Sequence, residues 1–149
     1  MLSSKAKYGL KAMVYLARRE GQGSVLIADV ARDERIPKKF LDTILLELKL
    51  KGMLSSKKGK GGGYTLAKPA ASISVGDIVR ILDGPLAPIA CVSRTAYRPC
   101  DDCADETACS VRAVMQGVRD AVAAILDNTS LSDMSLSKAR EEAVLRYDI

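Results

Sequence analysis

The stretch IPKKFLDTILLELKLKGMLSSKKGKGGGYTLAKP, residues 36–69, decides the fold of this 149-residue chain. In its first half, apolar residues recur every three or four positions, which predicts a helix over residues 38–50. Pro37 suits the start of this helix and Gly52 its exit. One face of the helix is predicted to enter the core: Phe40, Leu41, Ile44, Leu45 and Leu48.

The second half of the stretch predicts a basic β-hairpin. Two short strand-like pieces, residues 53–56 and 64–67, flank a loop of lysine and glycine. Three successive glycines let the backbone adopt positive φ and approach another molecule closely. We therefore expect a wing beside the helix.

A shorter helix, predicted over residues 27–33, precedes this segment and is separated from it by a tight turn at 34–37. A short helix, a turn and a longer helix are typical of a helix-turn-helix. Two further helices are predicted to begin after serine caps and to end near glycines, the first from Ser3 or Ser4 to near Gly21 and the fourth from Ser74 to Gly84.

Residues 110–127 carry an apolar stripe of more than four helical turns, which has to be covered. Because little chain remains, the predicted cover is the same helix of a second copy, giving a homodimer. The alternative is that this helix packs back on its own domain. The stripe comprises Val111, Val114, Met115, Val118, Ala121, Val122, Ile125 and Leu126.

The predicted fold class is mainly α with a small β-hairpin wing: a winged helix-turn-helix domain plus a long dimerisation helix. A last, charged helix is predicted from Ser132 to Tyr147. The expected divisions are a DNA-binding domain at 1–84, a cysteine-containing sensor loop at 85–109, and the dimerisation helix with its C-terminal tail at 110–149.

Charge is concentrated in the helix and the wing. The chain carries 23 lysines and arginines against 18 acidic residues, a net charge of +5, and seven lysines lie within residues 38–60. Clustered cations gain affinity for nucleic acid by counterion release, and the major groove of DNA admits a helix. Double-stranded DNA is favoured over RNA because Phe40, the only Phe, is expected in the core. The alternative is a solvated charged face with a flexible loop.

No apolar run reaches the roughly 18 residues of a membrane span, and the first residues do not resemble a signal peptide. We expect a cytoplasmic protein with no membrane partner. In a reducing cytosol, clustered cysteines more often bind metal or perform redox chemistry than form structural disulfides.

All four cysteines lie in one polar loop, and the chain has no histidine: Cys91, Cys100, Cys103 and Cys109. Thiolates at irregular spacing favour an iron-sulfur cluster, either 2Fe-2S or 4Fe-4S. A structural zinc site is an alternative, because four thiolates can complete a tetrahedron and Cys100 and Cys103 form one knuckle. A metal-free thiol switch and incidental cysteines complete the possibilities.

The chain is not expected to be an enzyme. It has no phosphate-cradling motif, no nucleophile paired with a base, and no histidine for acid-base work at neutral pH. An iron-sulfur electron-transfer protein or enzyme component, and a purely architectural DNA-binding protein, are the less favoured classes.

Five features together resemble the IscR/NsrR/CymR-type family of winged helix-turn-helix regulators over roughly residues 1–137. They are LSSKAKY at 2–8, IPKKFLDTILLELKLKGML, SSKKGKGGGYTLAKP, SVGDIVRILDGPLAP and the late cysteines. The resemblance implies a dimeric bacterial transcription factor, with each winged helix entering one half of a palindromic operator.

The resemblance also implies roles for single residues. Lys39, Phe40 and Asp42 fall where the family contacts base edges, and Lys58 with Gly59 falls where the wing enters the minor groove; family members usually carry arginine there. The candidate DNA-binding residues are Lys38, Lys39, Phe40, Asp42, Thr43, Lys57, Lys58, Gly59 and Lys60.

Cluster-binding relatives use three cysteines, at the positions of Cys91, Cys103 and Cys109, so that Cys100 is an additional candidate ligand. Relatives with a histidine ligand carry it where this chain has Arg112. The implied function is transcriptional regulation, with operator binding controlled by the cluster or the redox state of the loop.

Overall fold

The computed structural model describes residues 2–136, and these are mainly helical with one two-stranded antiparallel sheet. The helices are α1 (Ser4–Ala17), α2 (Ile27–Glu34), α3 (Lys38–Leu50), α4 (Val75–Asp83) and α5 (Ser110–Asp127). The strands are β1 (Leu54–Lys57) and β2 (Gly63–Leu66). Short 3-10 turns occur at Ala70–Ser72, Ala90–Val92 and Glu106–Ala108. The predicted fold class is confirmed.

Helix α1 packs against α3 and α4 in the core. Ser3 caps it, since its hydroxyl accepts from the Ala6 amide at 3.0 Å. The helix ends at Ala17, so the predicted end near Gly21 was wrong. The Arg19 amide donates to the Leu16 carbonyl, and this tight turn ends the helix.

Helices α2 and α3 form the predicted helix-turn-helix, and the bounds of α3 are confirmed. Arg35 makes the turn in the left-handed region at φ 55°, and Ile36 behind it is buried. The apolar face of α3 is fully buried at Leu41, Leu45 and Leu48. Phe40 is 43% exposed, so its predicted place in the core was wrong, and so was the argument against RNA that rested on it.

The wing packs against the start of α2. Strand β1 begins one residue later than predicted, and β2 begins one residue earlier. Both strands are shifted toward the tip of the wing, because the pairing extends to Lys57 and Gly63. Val25 then forms an isolated bridge to Tyr64. A Cβ at Gly63 would lie 2.1 Å from the Val25 carbonyl oxygen, so only glycine permits this close approach.

Helix α5 matches its predicted bounds, and the chain after it returns to the winged domain. The Leu131 amide donates to the Ile73 carbonyl at 3.0 Å, and the Leu131 side chain is fully buried. Residues 131–136 are helical, with Ser130 and Asp133 capping each other's amides. The rest of the helix predicted from Ser132 to Tyr147 lies outside the described residues.

Most of the apolar stripe of α5 is uncovered in a single copy, and within the described chain no side chain of this helix is buried. Val114 is 62% exposed and Ile125 66%. Leu126 instead packs against its own core, so this residue is not on the uncovered face. Between residues 2 and 136, no helix is long and apolar enough to cross a membrane.

Candidate DNA-binding surface and cysteine loop

The first half of α3 presents charged and aromatic side chains to solvent. Lys38, Lys39, Phe40 and Thr43 are exposed, and Asp42 is half-buried. The Lys38 ammonium pairs with the Asp42 carboxylate at 3.4 Å, one helical turn away. A base or phosphate group approaching this surface therefore meets the Lys38–Asp42 pair beside the exposed Lys39.

Tyr8 in α1 supports this surface, although sequence reasoning did not single it out. Its ring meets the Phe40 ring edge-on, with centroids 5.8 Å apart at 88°. The Lys7 ammonium lies 5.3 Å from the Tyr8 ring centroid. An aromatic residue beside lysine on the polar side of an amphipathic helix was the signal that could have identified it.

The wing carries its lysines at an exposed tip. Lys57, Lys58, Gly59 and Lys60 are all exposed, and the Gly59 carbonyl accepts from the Gly62 amide at 2.9 Å to close the turn. Tyr64 connects the wing to α3: burial raises its pKa, and the nearby Asp42 charge adds to the effect. The wing base and α3 are therefore neighbours, as the winged-helix prediction requires.

The cysteine loop holds its four thiols at different depths. Cys91 is 5% exposed and lies in the Ala90–Val92 turn, which packs against α5. Cys100 and Cys103 are exposed, and the Cys103 amide donates to the Cys100 carbonyl at 3.3 Å, which closes a tight turn between them. Cys109 is half-buried at the N-terminus of α5, where its sulfur accepts from the Arg112 amide at 3.4 Å.

The thiols influence each other electrostatically. Negative charge on Cys91 is the main cause that raises the pKa of Cys100. Partial loss of hydration raises the pKa of Cys103, followed by the charge of Cys109. A bound cation would reverse the effect, because it would compensate the same charges.

Among the described residues, no three or more Cys, Asp, Glu or His side chains are arranged to surround one metal ion.

Arg119 fixes the loop to the middle of α5. Its guanidinium donates to the Val92 carbonyl at 2.7 Å and pairs with Asp120 at 2.8 Å. Hydrogen bonding from Arg119 holds the pKa of Asp120 below its usual range. Arg94, farther along the loop, reaches the same carboxylate at 3.2 Å. Sequence reasoning missed Arg119, and the Arg-Asp pair interrupting an apolar helix was the available signal.

A second junction joins α5 to α4. The Arg80 guanidinium contacts both carboxylate oxygens of Asp127, at 2.7 and 2.8 Å. This hydrogen bonding lowers the pKa of Asp127. A Cβ at Gly76 would lie 2.0 Å from the same carboxylate, so glycine at this position permits the contact. The cysteine loop therefore runs between two helices whose relative position is fixed.

The sequence and the fold match known transcriptional regulators. A family model described as Rrf2, iron-dependent transcriptional regulator, matches residues 2–136. The chain belongs to the Rrf2 family. A putative Rrf2-like helix-turn-helix transcriptional regulator of Rhodobacter capsulatus is 42% identical over 137 residues, covering 90% of this chain and 91% of the relative.

Solved structures of Rrf2-type regulators resemble the whole fold. CymR, the global cysteine regulator of B. subtilis, is 29% identical and superposes with a TM-score of 0.77, covering 92% of this chain and 97% of CymR. IscR of T. potens is 28% identical with a TM-score of 0.75, covering 95% of this chain and 90% of IscR. The chain is a transcriptional regulator rather than an enzyme, and the family resemblance seen in the sequence is confirmed.

We expect Arg119→Ala to expose Cys91. Losing a hydrogen bond from a charged donor removes about 1.5 kcal/mol or more, so local opening at Val92 should become about tenfold more frequent. The rate of maleimide labelling at Cys91 in chelator-treated protein, followed by mass spectrometry, measures this opening. Arg94→Ala is the matched control, because its surface pair with the same Asp120 contributes little. Equal labelling rates in both variants would show that Arg119 does not fix the loop.

Proposed function

We propose that this Rrf2-family protein is a cytoplasmic, dimeric regulator whose affinity for a palindromic operator is set by an iron-sulfur cluster in the cysteine loop. The observation that carries the proposal is the position of the four thiols. They lie in one loop between α4, which packs on the winged domain, and α5, whose apolar face is uncovered. A group bound there would lie, along the chain, between the DNA-binding part and the dimerisation part.

Duplex DNA is the proposed partner of the winged domain. The exposed lysines of α3 and the wing supply phosphate contacts, and an α-helix fits the major groove. The exposed Phe40 adds an apolar contact of the kind that recognises a thymine methyl group. The preference for duplex over RNA rests on the winged geometry and not on the burial of Phe40.

A second copy of the chain is the proposed cover for α5. Val111, Val114, Val118, Val122 and Ile125 are all exposed and share one side of 18 helical residues. A two-fold axis places the same patch on both partners, which suits an uncharged, self-complementary stripe. The Arg80–Asp127 pair would then transmit the placement of the dimer helix to the winged domain.

The residues of the loop fit an iron-sulfur cluster chemically. Four thiolates are the usual ligand set for such clusters, and no histidine competes. The Nε of Arg112 is buried and has no hydrogen-bond partner among the described residues, and the sulfurs of an anionic cluster would supply acceptors nearby. Cys91, Cys103 and Cys109 would hold the cluster, with Cys100 as the fourth ligand. The bound cluster would make the loop responsive to iron supply and oxidants.

Regulation then follows from the two junctions. A common ligand would join the exposed part of the loop, with Cys100 and Cys103, to the part that Arg119 holds on α5, whereas free thiols would leave the exposed part independent of it. Two half-sites on one face of DNA lie about 34 Å apart, so a small change in the spacing of the two α3 helices costs contacts at both ends. Typical allosteric coupling of about 1–3 kcal/mol would change affinity about 5- to 150-fold.

We expect cluster loading to change operator affinity within that range. An operator fragment is first selected from random DNA. It is then titrated at fixed salt with protein that is cluster-loaded, cluster-free or oxidant-treated, and binding is followed by fluorescence anisotropy. Iron, sulfide and zinc are measured on each sample. Three superimposable binding curves, or stoichiometric zinc in colourless protein, would contradict the proposal.

The cysteine variants sharpen this test. Three variants should lose iron, sulfide and the cluster-dependent part of the affinity change: Cys91→Ser, Cys103→Ser and Cys109→Ser. Cys100→Ser should only weaken retention of the cluster. Asp101→Ser, next to Cys100, is the loop control and should behave as the wild type.

Val118→Asp should separate the dimer. Val118 is central on the stripe, so each copy would bury an unpaired charge against its symmetry mate at a cost of several kcal/mol. The dimer dissociation constant should rise at least about 100-fold, as measured by sedimentation. Thr95→Asp adds the same charge at an exposed loop position and should leave the dimer unchanged. A Val118→Asp protein that remains dimeric would mean that another surface forms the interface.

Phosphate and base contacts should differ in salt dependence and sequence preference. Lys58→Ala should weaken binding similarly on all sequences and reduce the salt slope by about one. Lys39→Ala and Asp42→Ala should change the preference among sequences instead. Binding is measured on the selected operator, on single-base variants and on random duplex at several salt concentrations. Equal effects of all three substitutions would refute this assignment of contacts.

A further inference from the structure

Arg112 lies in the first turn of α5, three residues after Cys109. Its Nε is buried and has no hydrogen-bond partner among the residues that the structure describes. A guanidinium stays charged at all physiological pH values, so burying one of its donors without an acceptor is unfavourable. The geometry of the helix alone does not explain why this donor is buried.

The surroundings of Arg112 are the cysteine loop. Its amide donates to the Cys109 sulfur at 3.4 Å. Tyr97 is also close: the hydrogen bond to Glu106 raises the pKa of Tyr97, while the charge of Arg112 acts in the opposite direction and that of Cys91 adds to it. Arg112 therefore shares one neighbourhood with a buried and a half-buried thiol.

The other arginines near the loop are placed differently. Arg119 and Arg94 both pair with Asp120. Arg98 belongs to the same loop but is exposed to water. Arg112 thus combines a buried donor with proximity to thiols that would carry negative charge as ligands. A cluster held by four thiolates has a net negative charge, which requires compensation in a partly buried site.

We propose that Arg112 is the counter-charge of the cluster site. Its guanidinium would supply a positive charge and a hydrogen-bond donor to the cluster held by the cysteine thiolates, without being a ligand itself. This inference rests on the proposed iron-sulfur function. Hydrogen bonds to sulfur and net charge are two of the factors that set the potential of such clusters. Reduction adds an electron, so a nearby positive charge stabilises the reduced state.

The test uses full-length protein reconstituted without oxygen, in four forms: wild type, Arg112→Gln, Arg112→Lys and Arg98→Gln. Iron and sulfide are measured first, and the reduction potential is then determined by titration with redox dyes while the visible spectrum is followed. Arg112→Gln should shift the reduction equilibrium at least tenfold toward the oxidised form, about 59 mV for one electron. Arg112→Lys should recover most of this shift, and Arg98→Gln, which removes an equal but hydrated charge, should match the wild type.

Each result decides the inference. If Arg112→Gln carries a full cluster at the wild-type potential, Arg112 is not the counter-charge, although the proposed function stands. If Arg112→Gln loses its cluster at least tenfold faster than wild type and Arg112→Lys restores retention, the charge is confirmed as the cause. If Arg112→Lys loses its cluster as fast as Arg112→Gln, the inference that the charge is the cause is refuted. Wild-type protein without iron and sulfide would overturn the proposed function and this inference together.

Discussion

The structure depends on one constraint: α3 must bury one face completely and leave the opposite face free. Leu41, Leu45 and Leu48 satisfy the first half of this constraint beneath α1 and α4. Gly9 is needed for it, because a Cβ there would lie 2.2 Å from a methyl group of Leu82 in α4. A close-packed core on one side holds the lysines of α3 in a defined position on the other.

The same winged domain is extended by elements that come late in the chain. Leu131 completes its core, and the Arg80–Asp127 pair fixes the end of α5 against α4. Helix α5 is therefore attached to the DNA-binding part by its C-terminal end while its apolar stripe remains exposed. In the proposed dimer, a partner copy bound to the stripe would therefore also set the orientation of α3.

The cysteine loop is held at its start and end and is exposed between them. Cys91 is buried where Arg119 fixes the loop to α5, and Cys109 begins that helix. Cys100 and Cys103 lie between them in solvent. Like charges raise the cost of ionising these thiols together, so a positive group nearby would favour their thiolate forms. The half-buried Arg112, whose Nε is buried, and the proposed metal centre would both supply such a charge.

The sequence by itself determined the helices and their faces. The bounds of α3 and α5, the Ser74 cap and the glycine-rich wing follow from periodicity and local hydrogen bonding, which act within a few residues. Only the tertiary structure decided which edge of each face is covered. Phe40 belongs to the apolar arc of α3 but is exposed beside Tyr8, and Leu126 leaves the α5 stripe for its own core. Periodicity fixes the direction of a side chain relative to its own helix. Burial depends on neighbours from distant parts of the chain, and for the same reason the hydrogen bond from Arg119 to the Val92 carbonyl and the burial of the Arg112 Nε could not be read from the sequence.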